Sequence, residues 1–276
     1  SVMISNEAGG VGEIFSQAPE GTFQFFPDAG INAWVNYLGA WMILGLGSIP
    51  SQDIYQRVMS SKSEKVAVQS TYLAGGFYLT FGLLPLFIAL GAKVLYPELY
   101  LENQQMLLPS MVLAHGGITI QIIFFGALIS AVMSTASSGL LAPAALISEN
   151  LVRPMFKGKL KDKYLLWILR INVLLVAMVA TFMASRDSNI YELVAGASIL
   201  LLVSLFAPLT AGLYWKKASR MGAILSMVIG MITYLICDEM ELAIDSHIYG
   251  LLASIFAMIL GSFLFPDKTL TTDELS

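Results

Sequence analysis

The feature that most constrains this chain is a series of seven long apolar windows. A helix needs about 20 apolar residues to cross the hydrocarbon core of a bilayer, which is ~30 Å thick. Windows that meet this requirement run over residues 31–52, 66–92, 119–150, 164–184, 193–215, 220–237 and 247–265. The mean hydropathy is +0.74, and only 12% of the residues are charged, against about 25% in soluble domains. The sequence therefore predicts an all-α, polytopic membrane protein with seven transmembrane helices.

Basic residues are concentrated in alternate loops, which predicts the orientation. Membrane proteins keep Lys and Arg on the cytoplasmic side. The loops after the first, third and fifth windows carry Arg57, Lys62 and Lys65, then Arg153, Lys157, Lys159, Lys161 and Lys163, then Lys216, Lys217 and Arg220. Residues 1–30 contain no Lys or Arg, and DEMELAID carries four acidic residues. We predict a multi-pass protein of the plasma (inner) membrane, with the N-terminus of the chain outside and the C-terminus in the cytoplasm.

The first window carries a helix-breaking sequence, GLGSIPSQ. It places Gly45, Gly47 and Pro50 near the predicted bilayer midplane, where backbone groups without helical partners find no water. Irregular backbone is tolerated there when it lines a cavity, and a broken helix at that depth is typical of a transporter's binding site. A kink that serves helix packing would leave the same pattern. We predict an interrupted helix, with both interpretations open.

The third window is rich in hydroxyl groups. Residues three and four apart share a helix face, which gives one small and partly polar stripe: Ala131, Ser134, Thr135, Ser138 and Ala142. Such a stripe is typical of tight helix packing, with hydroxyls bonded to carbonyls one turn back. It also offers the oxygen ligands that hard cations prefer. Because this face carries no carboxylate, a monovalent ion such as Na⁺ suits it better than a divalent one.

Several other classes of protein find little support. The single Cys237 cannot form an internal disulfide, and the net charge of -4 gives no reason to expect a nucleic-acid partner. Neither HExxH, Gly-x-Ser-x-Gly nor a carboxylate cluster occurs in the windows, so we do not expect an enzyme. A seven-helix receptor remains the main alternative to a transporter, although the last window has no Lys for a retinal Schiff base. A channel is a further alternative, because broken helices can also line pores.

Three segments together resemble the sodium:solute symporter family. ALISAVMSTASSGLLAPAALISENLVRP is similar to that family's hydroxyl-rich helix, in which an Ala and two apolar residues precede paired Ser/Thr. SQDIYQRVMSSKS resembles the Gln-Arg stretch after the family's broken helix. LFAPLTAGLYWKKASRMGA resembles a later signature of Pro, Trp-Lys and Gly-Ala. The segments follow the family's order over residues 40–225.

The resemblance implies a fold, an ion and a mechanism. The family has a LeuT-like inverted-repeat fold in which two five-helix repeats enclose substrate and sodium. Residues 1–276 would then be a partial transmembrane domain, with the second repeat, two peripheral helices and no first repeat. By the same resemblance, Na⁺ is bound by the Ala131 carbonyl and by the Ser134 and Thr135 hydroxyls. The function implied is sodium-coupled symport of a small organic solute by alternating access within the lipid bilayer.

The sequence indicates the identity of the solute less clearly than that of the ion. In sugar-transporting members, the positions matching Leu44, Gly47 and Tyr78 are typically Asn, Tyr and Lys, so a sugar is disfavoured here. The Gln-Arg stretch is similar to that of members that carry choline, proline or pantothenate. Trp41 and Tyr78 could face a quaternary amine through cation–π attraction, or they could be packing and lipid contacts. Ser48, Gln52 and Tyr78 are our predicted cavity-lining residues.

Two charges near the predicted cytoplasmic ends of neighbouring windows are candidate gate residues. Glu149 lies at the end of the third window, and Arg170 lies about two turns into the fourth. A charge within a membrane segment is costly and is usually paired. We predict a Glu149–Arg170 contact that closes an inner gate; the alternative is that Arg170 extends to the lipid headgroups.

Overall fold

The computed structural model describes residues 10–16, 21–27, 30–95, 104–156, 161–185, 189–240 and 242–267. The elements that these residues form are helical, as the sequence predicts. In chain order they are α1 (Val11–Ser16), α2 (Ile31–Gly45), α3 (Gln52–Met59), α4 (Glu64–Phe81), α5 (Leu83–Leu95), α6 (Leu107–His115), α7 (Ile118–Leu146), α8 (Asp162–Ala184), α9 (Ile190–Leu201), α10 (Ala207–Tyr214), α11 (Arg220–Asp238) and α12 (Ser246–Leu264). A π-helical stretch, Ile147–Val152, and a last turn, Arg153–Met155, extend α7, and a second π-helical stretch, Leu202–Phe206, joins α9 to α10.

Six helical stretches within the described residues are long and apolar enough to cross a bilayer. They are Glu64–Lys93, Ile118–Met155, Asp162–Ala184, Ile190–Tyr214, Arg220–Asp238 and Ser246–Leu264. These six correspond in order to the predicted windows from residue 66 onward. The first predicted window, 31–52, does not form one continuous span, because α2 ends after 15 residues.

The interruption falls where GLGSIPSQ predicts it. α2 ends at Gly45, and the next two amides, those of Leu46 and Gly47, both donate to the Met42 carbonyl at 2.9 and 3.1 Å. Pro50 has no amide hydrogen with which to continue a helix. A new helix, α3, begins at Gln52. The predicted broken helix is therefore confirmed.

The second predicted window, 66–92, is divided in a way that the sequence analysis did not predict. α4 ends at Phe81 and α5 begins at Leu83, with the Gly82 amide donating to the Tyr78 carbonyl at 3.0 Å. Pro85 accounts for the division, since a proline ring clashes with the carbonyl four residues back, here that of Phe81.

Two compact units make up the fold, and each is described by itself. The first comprises Ser1–Phe23 and Gln56–Asn189, and the second comprises Gln24–Tyr55 and Ile190–Ser276. In the first unit, α7 packs on α8. The buried Ser148 hydroxyl donates to the Ala144 carbonyl at 2.7 Å and accepts from the Asn172 amide at 2.9 Å. A neutral hydrogen bond thus joins the π-helical end of α7 to α8.

The second unit is organised around the close packing of α11 on α12. Small residues let membrane helices approach closely, and buried glycines serve this purpose on both helices: Gly222, Gly230, Gly250 and Gly261. The buried Ser226 hydroxyl donates to the Ser254 carbonyl at 2.8 Å and lies 2.9 Å from the Ser254 hydroxyl. Small side chains therefore bring the two backbones together, and the serines bond across the contact.

Both π-helical stretches lie just before a proline. Ile147–Val152 precedes Pro154, and Leu202–Phe206 precedes Pro208. Proline removes the hydrogen bond to the carbonyl four residues back, and a π-helical turn is one of the local adjustments that accommodate the loss in a membrane helix. Pro143 differs, because the α-helical backbone of α7 continues through it.

Candidate sodium site

The hydroxyls of α7 divide into two groups by their hydrogen bonds. Ser137 donates to the Met133 carbonyl at 2.7 Å, and Ser138 donates to the Ser134 carbonyl at 3.3 Å. The hydroxyls of Ser134 and Thr135 make no hydrogen bond with any residue that the structure describes. The sequence alone could not separate the two groups, because every one of these side chains can bond one turn back.

The two unbonded hydroxyls share a helix face with Ala131. All three residues lie in regular α-helix and are exposed in the first unit. A backbone carbonyl has two lone pairs, and a helical hydrogen bond uses one, so the Ala131 oxygen keeps acceptor capacity without any opening of the helix. The Ser130 side chain, four residues before Ser134 and at the edge of the same face, also makes no hydrogen bond to the described residues. The stripe thus presents three uncharged oxygens that can coordinate a monovalent cation.

Arg57 contacts the same stripe, which the sequence analysis did not predict. Its guanidinium Nη2 donates to the Ser138 hydroxyl at 3.1 Å, across 81 positions of the chain. Arg57 lies in α3, within the Gln-Arg stretch that follows the broken helix. The resemblance pointed to this stretch, but no local pattern indicated that its arginine meets α7.

The interruption after α2 positions Ser48 and Gln52 in the second unit. Gly47 is buried, and a Cβ placed there would collide with the carbonyl oxygens of Ile43 and Ser198, so only glycine fits this close approach of α2 to α9. Ser48 is half-buried in the turn, and Gln52 is exposed at the start of α3. Of these two predicted cavity residues, Ser48 therefore lies within the break and Gln52 lies where the next helix begins.

Tyr78, the third predicted cavity residue, lies on α4 in the first unit. Its side chain is 82% exposed, and Tyr78 has no described hydrogen bond or ring partner through its side chain. Its role beside a solute stays a prediction.

Trp41 lies in a group of aromatic rings on α2 and the segment before it. Its ring centroid is 6.2 Å from that of Phe25 and 6.3 Å from that of Tyr37. Trp34 extends the group, with centroids 6.1 Å from Tyr37 and 5.8 Å from Phe26. These separations are typical of stabilising aromatic pairs. Trp41 is thus held by other aromatic residues and remains 60% exposed.

The predicted Glu149–Arg170 contact is not formed in this structure. Glu149 instead pairs with Arg153, four positions further along the chain, with a distance of 2.7 Å from Oε2 to Nη1. The Arg170 guanidinium lies over the Trp167 ring, 5.4 Å from its centroid. A partner one helical turn away competes effectively with one on another helix, because it costs no rearrangement. A gate role for Glu149 and Arg170 stays a prediction.

Broken helices with oxygen-bearing helix faces are typical of secondary transporters, and comparison with known proteins gives the same class. A model of the sodium:solute symporter family matches residues 2–230, so the chain belongs to that family. Its members are transporters, which confirms the prediction that the chain is not an enzyme.

Two similar curated proteins are transporters of small organic cations or amino acids. The high-affinity choline transporter 1 of Drosophila melanogaster is 31% identical over 194 residues, which cover 66% of this chain and 31% of that protein. The high-affinity proline transporter PutP of Bacillus subtilis is 27% identical over 258 residues, covering 92% of this chain and 53% of PutP. The chain thus spans about a third to a half of the length of these relatives.

A solved structure shares the fold. It is a substrate-bound, outward-open state of a Na⁺-coupled sialic acid symporter, with a TM-score of 0.72 and 17% sequence identity. The match covers 98% of this chain and 60% of that one. The predicted LeuT-like fold class is therefore confirmed.

Proposed function

We propose that the protein is a sodium-coupled symporter of a small organic solute and that the α7 stripe forms one wall of its sodium site. The observation that carries the proposal is the pair of adjacent hydroxyls, on Ser134 and Thr135, that do not bond back to their own helix. Ser137 and Ser138, which follow directly, do bond back. Unbonded hydroxyls within an apolar span are costly, so a bound ligand is the reason that we infer for leaving them free.

The chemistry of this wall favours Na⁺. The Ala131 carbonyl and the two hydroxyls are uncharged hard oxygens, which suit a monovalent ion better than a divalent one. We propose that the remaining ligands come from a core helix of the family's first repeat. A bound sodium ion then links the α7 stripe to that core helix. Such a shared site stabilises the conformation that brings the two parts of the transporter together.

For the solute, we propose a quaternary amine or an amino-acid zwitterion. The choline and proline transporters among the relatives support this class, and the aromatic group around Trp41 would suit a cationic head. Ser48, Gln52 and Tyr78 are the side chains that we propose to line the cavity. The resemblance disfavours a sugar, because sugar-transporting members typically have Asn, Tyr and Lys at the positions of Leu44, Gly47 and Tyr78.

The test is a comparison of two variants in the protein as its intact gene encodes it. Uptake of labelled choline, betaine and proline is measured in cells over a range of sodium concentrations. N-methyl-D-glucamine is the replacement cation in the solutions of lower sodium concentration. Choline, which is often used for this purpose, is itself a candidate solute. We expect Ser134→Ala/Thr135→Ala to raise the half-saturating sodium concentration at least about tenfold or to abolish sodium activation, because two of the hydroxyl ligands are gone.

Ser137→Ala is the matched control. It removes a hydroxyl from the same helix, but one already bonded to the Met133 carbonyl, so sodium activation should stay within about twofold of wild type. Membrane expression of both variants is checked by surface labelling. If the double variant keeps the sodium activation of wild type, the site assignment is wrong.

A further inference from the structure

The guanidinium of Arg57 is positioned close to the proposed sodium ligands. Arg57 Nη2 donates to the Ser138 hydroxyl at 3.1 Å, and that hydroxyl donates to the Ser134 carbonyl at 3.3 Å. Ser138 lies one helical turn from Ser134, a rise of about 6 Å along the axis. A short chain of hydrogen bonds therefore connects a positive charge to the turn that carries the stripe.

On α7 the partner of the Arg57 guanidinium is the neutral Ser138 hydroxyl and not a carboxylate. The positive charge is therefore hydrogen-bonded to this helix without being neutralised by it. The carboxylate of Glu149, in the π-helical stretch that follows α7, is already paired with Arg153. A sodium ion at the stripe and the docked guanidinium would lie within one or two helical turns of each other, and like charges at that separation repel. A sodium ion at Ser134 would therefore oppose the docking of Arg57 on Ser138.

We propose that Arg57 is a positioning residue that lowers the sodium affinity of the α7 site when its side chain is docked on Ser138. Sodium binding and Arg57 docking are then mutually exclusive or strongly antagonistic. Since the coupling is reciprocal, sodium arriving at the stripe releases Arg57 and with it the segment that follows the broken helix. The inference rests on the proposed sodium site and adds a regulator to it.

The experiment measures binding of ²²Na⁺ to the purified protein, as its intact gene encodes it, by scintillation proximity. Wild type is compared with six variants: Arg57→Gln, Arg57→Lys, Ser138→Ala, the combined Arg57→Gln/Ser138→Ala, Lys62→Gln and Ser134→Ala/Thr135→Ala. We expect Arg57→Gln to bind sodium about three- to tenfold more tightly, because an opposing charge is removed and solvent screens part of its effect. Arg57→Lys retains the charge and should stay within about twofold of wild type.

Two of the other variants separate docking from general charge. Ser138→Ala removes the hydroxyl that holds the guanidinium, so it should tighten sodium binding in the same direction but less. Adding it to Arg57→Gln should have no further effect, because both act on one contact. Lys62→Gln removes a charge five positions further along the chain that has no described partner, and it should leave sodium binding unchanged.

The outcomes distinguish this inference from the sodium site itself. If Ser134→Ala/Thr135→Ala abolishes ²²Na⁺ binding while Arg57→Gln leaves it unchanged or weaker, the site stands and the role of Arg57 is wrong. If wild type shows no saturable binding, or the double variant binds like wild type, both proposals fall. If Arg57→Gln does not fold, the test rests on Ser138→Ala. Sodium binding by Ser138→Ala that is unchanged or weaker than in wild type overturns the role of Arg57.

Discussion

Hydroxyl groups in the middle of α7 illustrate what can be read from single residues. The spacing of Ala131, Ser134 and Thr135 places them on one helix face, and this follows from helical geometry alone. Which hydroxyls bond to their own helix depends on side-chain rotamers, and that information came only from the structure. The contact of Arg57 with Ser138 was equally hidden, because it joins residues 81 positions apart.

Gly230 offers a test of packing at the scale of one residue. A Cβ on Gly230 would collide with the Val203 carbonyl oxygen and would lie 2.7 Å from the Ser254 Cβ. Backbone cannot move away cheaply, so Gly230→Ala should destabilise the protein by about 1–3 kcal/mol. The measurement is the thermal unfolding midpoint in detergent.

Gly196→Ala is the control for Gly230→Ala. Gly196 also lies within a helix, but a Cβ there meets no atom within 4 Å. Alanine is favoured over glycine in a helix by about 1 kcal/mol, so the control should be neutral or slightly stabilising. Equal unfolding midpoints for the two variants would contradict the packing described for α11 and α12.

At the scale of elements, two features of the sequence predicted where helices end: the length of the apolar windows and the positions of Gly and Pro. Apolar length predicted the later spans closely, as for 164–184 against Asp162–Ala184. Gly and Pro predicted the break after α2 correctly. Pro85, Pro154 and Pro208 are the same kind of signal, and they mark the division of α4 from α5 and the two π-helical stretches. Proline chemistry could have indicated these sites, although not the form that each irregularity takes.

The end of α7 and the start of α8 provide a test at this scale. If Glu149 and Arg170 meet during transport, Glu149→Arg or Arg170→Glu should each lower the transport rate severalfold. The double swap should recover much of the loss, because it restores an attractive pair. The measurement is the initial rate of sodium-dependent uptake.

Arg153→Gln is the control for the charge swap. It breaks the ion pair that Glu149 forms in this structure, but that pair is exposed and is worth at most about 1 kcal/mol. Uptake should therefore stay within about twofold of wild type. A double swap no better than the worse single variant would contradict the gate.

For the whole molecule, the class of protein was predictable and the details of its site were not. Hydropathy indicated a polytopic helical protein, and three ordered segments pointed to the family that the comparison then showed. The stripe, the broken helix and the family together carry the proposal of sodium-coupled symport. The identity of the solute depends on a cavity formed by several distant elements, and no local pattern specifies such a cavity.

The central claim is coupling of a solute to sodium, and solute accumulation in proteoliposomes tests it most directly. The protein encoded by the intact gene is reconstituted, and labelled choline, betaine or proline is supplied outside with an inward sodium gradient. We predict that at least one of these solutes accumulates transiently above its external concentration and that a sodium ionophore abolishes the accumulation. Uptake that only equilibrates the solute, whether or not sodium is present, would contradict the account and would favour a channel or a uniporter.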